Sequence, residues 1–209
     1  MLASRMRLCR PRKPGRAIST LANNPHIRVF RCADPPTRHL LTYLDASPPN
    51  PDLAVGTTSR LPPTPASFQE NPRFLRILYD VLAQHAKDDA GLQSHAKALA
   101  SPGGAVFGAR RTLSHTGAGG ASDQGGAGGA GIGGWVHLSD LRNPPDFGRI
   151  AWPEDILGSV EVDGQGNIVG SLQPSGTYRI LTNEGILGLS DFLRGRLLER
   201  LQAESRQKN

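Results

Sequence analysis

The sequence predicts an α+β fold: a small antiparallel sheet of three to four strands with a C-terminal helix and an upstream amphipathic helix, in a chain with a large disordered fraction. Residues 72–88 repeat apolar side chains at the helical spacing, whereas residues 135–182 alternate apolar and polar side chains in short runs. The segments before and between these two regions are rich in proline or glycine and have little to bury.

The upstream helix has a clear start. Asn71 is a favourable N-cap, and Pro72 suits the first helical position. One face then carries apolar or aromatic side chains at spacings of three and four, namely Phe74, Leu78, Val81, Leu82 and His85. A weaker helical pattern follows over residues 92–100, so residues 71–101 are predicted to be a helical segment.

Residues 135–206 are predicted to form an α+β module. Residues 135–141 alternate like a strand, and two further alternating runs flank the loop 164–166, as expected for a hairpin. Residues 175–182 supply another strand. Ser190 then caps a helix whose buried leucines are spaced by four, namely Leu193, Leu197 and Leu201.

Two other segments lack this patterning. Residues 19–70 hold nine prolines, which predicts a largely disordered segment with one short strand at 26–30 and a helical turn or two at 38–44. Residues 102–134 are predicted to be a flexible linker, because 13 of the 32 residues from 103 onward are glycine. This linker is the strongest predicted domain boundary.

Residues 1–18 are predicted to be a mitochondrial transit peptide, because they contain six Lys or Arg residues and no Asp or Glu. Arg16 lies three residues before Ser19, a spacing typical of a matrix processing site. The chain has 24 basic and 18 acidic residues, so a cut before Ser19 leaves 24 − 6 = 18 basic residues and a neutral body. A neutral body argues against a nucleic-acid partner, since phosphates are bound by clustered cations.

Known motifs supply no cofactor or metal site. The run 126–131 has the letters GxGxxG, but further glycines surround it where a dinucleotide site needs a strand and a helix. Residues 146–148 spell the DFG triplet of protein kinases without the other kinase signatures. After processing, Cys32 is the single cysteine, which makes neither an internal disulfide nor a cysteine zinc site. We therefore expect no cofactor and no metal.

The candidate site is a polar cluster in the loop that precedes the hairpin. Acids and arginines alternate there through a proline-containing stretch, as in a structural ion-pair network, which is the commoner outcome, or in a binding or catalytic site. The candidate binding residues are Arg142, Asp146, Arg149, Trp152 and Asp155. The candidate catalytic residues are His137, Asp140 and Asp146. An aromatic ring beside arginines is typical of protein interfaces and favours binding.

Three functions are compatible with these features. The first is a mitochondrial accessory or assembly factor that acts through contacts with a protein partner. The second is a small mitochondrial enzyme in which His137 works with Asp140 or Asp146 as acid/base groups. The third is a protein associated with the mitochondrial ribosome or with RNA. No run of about 18 apolar residues occurs, so no transmembrane span is expected, although peripheral membrane association is compatible with the sequence.

One block of the chain resembles a family of uncharacterised fungal mitochondrial proteins. The resemblance covers residues 140–193 and rests on the phrases DLRNPPDFGRI, PEDILGSVEVDG and PSGTYRILTNEGILGLSDFL. It implies a mitochondrial location and brings no catalytic residues to carry over. Together with the processing site, it predicts the mitochondrial matrix.

We expect the endogenous protein to be imported into mitochondria and to lose its first 18 residues. The positive leader follows the membrane potential, and processing then exposes Ser19 as the new N-terminus. Sequencing the N-terminus of protein recovered from purified mitochondria measures this directly. Recovery of the chain from cytosol or nucleus with Met1 still attached would contradict the prediction.

Overall fold

The computed structural model describes residues 10–11, 19–34, 37–101, 133–146 and 149–207. The predicted α+β class is confirmed, because helices and antiparallel sheets both contribute to the described part of the chain. The helices are α1 (Pro72–His85), α2 (Ala90–Ala100) and α3 (Asp191–Gln207). The first six strands are β1 (Arg10–Pro11), β2 (Ser19–Leu21), β3 (Asn24–Asp34), β4 (His39–Thr42), β5 (Gly56–Thr58) and β6 (Phe68–Glu70). The others are β7 (Gly134–Ser139), β8 (Ile156–Val162), β9 (Ile168–Pro174), β10 (Leu181–Thr182) and β11 (Gly185–Ile186).

The chain divides into two compact units that do not follow the predicted domain boundaries. Unit 1 consists of Met1–Tyr79, Ile180–Gly188 and Arg194–Asn209. Unit 2 consists of Asp80–Arg179 and Leu189–Leu193. The predicted 135–206 module is therefore shared between the units, because its last segments pack with the N-terminal strands. Most of the predicted glycine-rich linker lies outside the described residues.

Unit 1 is built on the segment that the proline count predicts to be largely disordered. Strands β3, β4, β5 and β6 pair in that order, all antiparallel, and β2 also pairs with β3. The prediction for 19–70 is thus wrong in the described part of the chain. The prolines at 48, 49 and 51 lie between β4 and β5, and those at 62, 63 and 65 lie between β5 and β6. Prolines placed between strands remove no donor from the sheet.

The predicted helical turn at 38–44 is also wrong, since these residues contain β4. Leu40 and Leu41 are buried there, and β4 has a hydrogen-bonded partner on each side, β3 and β5. A short apolar run fits either a helix or a buried strand, and pairing with residues elsewhere in the chain decides between them. The predicted strand at 26–30 is confirmed within β3.

Segments from both ends of the chain close unit 1. Asn71 caps α1 as predicted, and its side-chain amide donates to the carbonyl oxygen of Ala54 at 2.7 Å. Near the C-terminus, Leu187 accepts a 2.8 Å hydrogen bond from the Asn24 side chain. Glu70 accepts another from the backbone N–H of Ile180 at 2.8 Å. The core of unit 1 therefore includes residues separated by most of the sequence.

Strand β1 lies inside the predicted transit peptide. Its two residues pair with Asp34 and Cys32 at one side of β3. Cys32 is disulfide-bonded in the full chain, whereas the expectation of a single cysteine refers to the processed chain. Processing before Ser19, if it occurs as predicted, would remove the β1 pairing.

Unit 2 contains a three-stranded antiparallel sheet in the order β7-β8-β9. The predicted first strand and hairpin are confirmed as β7, β8 and β9, and α2 contacts β7. Residues 175–182, predicted to be one strand, form a loop that ends in the two-residue strand β10. Two half-buried side chains of β7 and β8, those of His137 and Ser159, lie directly opposite each other.

Two helix N-termini in unit 2 are linked through their caps. The Asp89 carboxylate accepts from Leu92 N–H at 3.0 Å and caps α2. Ser190 caps α3, as the sequence predicts, because its Oγ accepts from Leu193 N–H at 3.2 Å. The same Ser190 hydroxyl donates to Asp89 at 2.6 Å. One carboxylate thus orders the start of both helices.

Two glycines of unit 1 should respond to alanine in opposite directions. A Cβ at Gly56 would meet the carbonyl oxygen of Gln69 and lie 2.5 Å from Phe68 Cζ, so Gly56→Ala should destabilise by roughly 1–3 kcal/mol. A Cβ at Gly195 in α3 meets nothing within 4 Å, so Gly195→Ala should stabilise by about 0.5–1 kcal/mol. Urea denaturation of both variants measures the two free energies of unfolding. Equal effects at the two positions would contradict the crowding at Gly56.

Candidate functional site

The predicted polar cluster lies in the connection from β7 to β8, residues 140–155, here called the 140–155 loop. The two ends of this loop meet, because Asp140 N–H donates to the carbonyl oxygen of Asp155 at 2.8 Å. Loops with adjoining ends are compact surface elements that often carry function. Residues 147 and 148 of the predicted DFG triplet lie outside the described residues.

The side chain of Arg142 lies at the base of the loop and is only 3% exposed. Its Nε donates to Asp155 at 2.7 Å, and its Nη2 donates to the carbonyl oxygen of Glu154 at 2.8 Å. Its Nη1 lies 3.7 Å from the Asp140 carboxylate. The guanidinium group therefore contacts both ends of the loop at once, with donors in three directions.

Tyr178 joins the same network from outside the loop. Its hydroxyl donates to Asp140 at 2.8 Å, and its ring lies 5.4 Å from the Arg142 guanidinium carbon, within the range of a cation–π contact. The other oxygen of Asp140 accepts from the Arg142 backbone N–H at 2.9 Å. Sequence patterning missed Tyr178, because its partners are 36 and 38 positions away in the sequence and no local signal links them.

These contacts give three of the candidate residues a structural role. Arg142, Asp140 and Asp155 are buried, and each is committed to hydrogen bonds inside the fold. The favoured interpretation, an ion-pair network that orders the loop, fits this geometry. The prediction that Arg142 and Asp155 contact a partner directly is corrected, since side chains this buried offer no surface to bind.

The remaining candidates face outward. Trp152 is 70% exposed, and Asp146 and Arg149 are exposed and lie 4.0 Å apart in a weak ion pair. Two further large apolar side chains of the same loop, Leu141 and Ile150, are also exposed. The sequence did not distinguish Leu141 and Ile150 from core residues. We call Leu141, Asp146, Arg149, Ile150 and Trp152 the exposed face of the loop.

His137 does not form the acid/base pair that the enzyme hypothesis expects. Its Nδ1 lies 2.7 Å from Ser159 Oγ across the β7–β8 pair. Partial burial lowers the pKa of His137 below its ordinary value of 6.5, so the imidazole is neutral at pH 7. The Asp140 carboxylate is engaged by Arg142 and Tyr178 instead. A cross-strand hydrogen bond accounts for the position of His137.

Within the described ranges, no group of three or more His, Cys, Asp or Glu side chains is arranged to hold a metal ion. The same part of the chain contains no helix with the length and apolar character that a bilayer crossing requires.

Comparisons with known proteins give no relative for this chain. No family model matches the sequence. Neither a curated protein nor a solved structure matches it.

The two arginines of the loop should differ sharply in their contribution to stability. Arg142→Ala leaves two buried carboxylates without their cation and should destabilise by about 3–5 kcal/mol. Arg149→Ala removes only an exposed pair and should change stability by less than about 0.5 kcal/mol. Circular dichroism during guanidinium unfolding measures both variants. Similar losses for the two arginines would contradict the buried network.

Proposed function

We propose that this chain is a mitochondrial accessory or assembly factor that binds a protein partner through the exposed face of the 140–155 loop. The observation that carries the proposal is the concentration of exposed, large apolar side chains in one loop. Five large hydrophobic residues are exposed in the described part of the chain. Three of them, Leu141, Ile150 and Trp152, belong to this one loop. Single exposed apolar residues are ordinary, whereas a cluster of them marks an interaction surface.

The chemistry of the exposed face suits a protein partner. Trp152 offers a large ring of low conformational entropy, and tryptophan and arginine are the residues most enriched at binding hot spots. Asp146 and Arg149 lie in the same loop, are weakly paired and are both solvated. A partner with an apolar pocket and complementary charges at its rim can therefore bury Trp152 and re-pair these two charges.

The alternatives draw less support from the described residues. An RNA-binding role requires clustered cations, and the exposed face carries one arginine with one carboxylate beside it. An enzyme role requires a positioned acid/base pair, whereas the hydrogen bond of His137 is to the Ser159 hydroxyl and not to a carboxylate. The proposed location is the mitochondrial matrix. Two sequence features support it, the basic N-terminal segment and the family resemblance.

Site-specific photo-crosslinking in cells that express the full chain tests the docking surface. p-Benzoylphenylalanine in place of Trp152 should yield a protein adduct of discrete mass. The same residue in place of Leu61, an exposed leucine in unit 1, should yield at least roughly tenfold less of that adduct, because hot-spot contacts concentrate at the interface centre.

A matched pair of charge insertions provides the control. With the photo-reactive residue at position 152, Ile150→Asp should reduce the adduct about tenfold or more, because a carboxylate would be buried against the partner. Leu61→Asp should leave the yield within about twofold, since isolated surface changes are nearly neutral. Equal yields at 152 and 61, or adducts formed with lipid instead of protein, would overturn the proposal.

A further inference from the structure

The exposed face of the loop is connected to the buried network through the backbone at both of its ends. On the N-terminal side, Leu141 lies between Asp140 and Arg142, whose side chains are both buried. On the C-terminal side, the carbonyl oxygen of Trp152 accepts from Asp155 N–H at 2.8 Å in a 3-10 turn. Leu141 and Trp152 are thus each connected to the buried network through the backbone.

Arg142 is the group that both attachments share. Its Nε and Nη2 hold Asp155 and the carbonyl oxygen of Glu154, the last two residues of the turn that follows Trp152. Its backbone N–H, one position after Leu141, donates to Asp140. The turn that follows Trp152 is therefore held by one buried guanidinium group, whereas Leu141 is linked to Asp140 through the Arg142 backbone.

We propose that Arg142 is a positioning residue, whose side chain pre-organises Trp152 for the partner. The proposal rests on the proposed function of the exposed face. A surface that is ordered before binding loses less conformational entropy when the complex forms. It therefore binds its partner with higher affinity. Arg142 then increases the affinity for the partner without contacting it, because it fixes the backbone that carries Trp152.

Lysine is the informative replacement. Arg142→Lys keeps the positive charge between the two buried carboxylates, so it avoids the bare carboxylates of the alanine variant. An ammonium group is a point charge and does not reproduce three donors fixed in the plane of a guanidinium. The turn at Pro153–Asp155 keeps other bonds, because Thr177 Oγ1 donates to Pro153 at 2.8 Å and Arg179 N–H donates to Glu154 at 3.1 Å.

The first measurement needs no partner. The chain has two tryptophans, so Trp135→Phe leaves Trp152 as the single reporter. In that background, Arg142→Lys should increase the nanosecond mobility of Trp152, measured by time-resolved fluorescence anisotropy, while the circular dichroism spectrum is retained. Unchanged mobility would overturn the positioning role, whatever the partner is. If the lysine variant does not fold, Tyr178→Phe, which removes one bond to Asp140, replaces it with the same expectation.

The second measurement separates positioning from general stability. With p-benzoylphenylalanine at position 150 as the probe, Arg142→Lys should reduce the protein adduct roughly three- to tenfold. In a Trp152→Ala background the same substitution should reduce it less than about twofold, because the side chain that Arg142 positions is then absent. Equal reductions in both backgrounds would overturn the proposal and leave Arg142 a merely structural residue. If position 150 gives no protein adduct even in the parent chain, the docking function fails, and the anisotropy of Trp152 alone decides whether Arg142 orders the loop.

Discussion

The contacts of Arg142 determine the geometry on which the candidate site depends. A guanidinium group buried between two carboxylates is costly to desolvate, and the cost is offset only when its donors and the carboxylate oxygens are matched by hydrogen bonds. Here the matching is supplied by Asp155, the carbonyl oxygen of Glu154, and the Tyr178 hydroxyl on Asp140. Such a network offers little net stabilisation compared with an apolar core of the same shape. It does specify one arrangement of the loop, because any other arrangement leaves a buried charge unpaired.

The buried and exposed parts of the loop have opposite physical characters. At the base of the loop, charged side chains are buried. On the exposed face, large apolar side chains are in contact with water. Both features are unfavourable in isolation, and a fold retains such features where they serve a purpose beyond stability. The protein partner proposed above would remove the second cost by covering Trp152, whereas the first is offset inside the chain. This division explains why the same short segment contains arginines as different as Arg142 and Arg149.

Sequence patterning predicted the local elements well and the long-range ones poorly. The N-caps Asn71 and Ser190 and the β8–β9 hairpin were predictable, because capping residues and alternation act within a few positions. Strand β4 was not, since only its pairing with β3 and β5 decides its structure. In the candidate site, the sequence placed Asp140, Arg142 and Asp155 in one polar cluster, and these three side chains do lie together. It did not separate Arg142 from Arg149, because the contacts that distinguish Arg142 include Tyr178, 36 positions further along.

The hydrogen bond from Asn24 to Leu187 spans 163 positions and has a consequence for how the protein is made. During synthesis the N-terminal strands leave the ribosome long before their C-terminal partners exist. Unit 1 cannot be completed until residues 180–188 and the last helix have been released. Contacts of such high sequence separation form slowly, because closing a long loop costs entropy before the contact contributes any stability. The order of synthesis therefore makes unit 1 one of the last parts of the protein to be completed, although its first strands are among the earliest residues to be made.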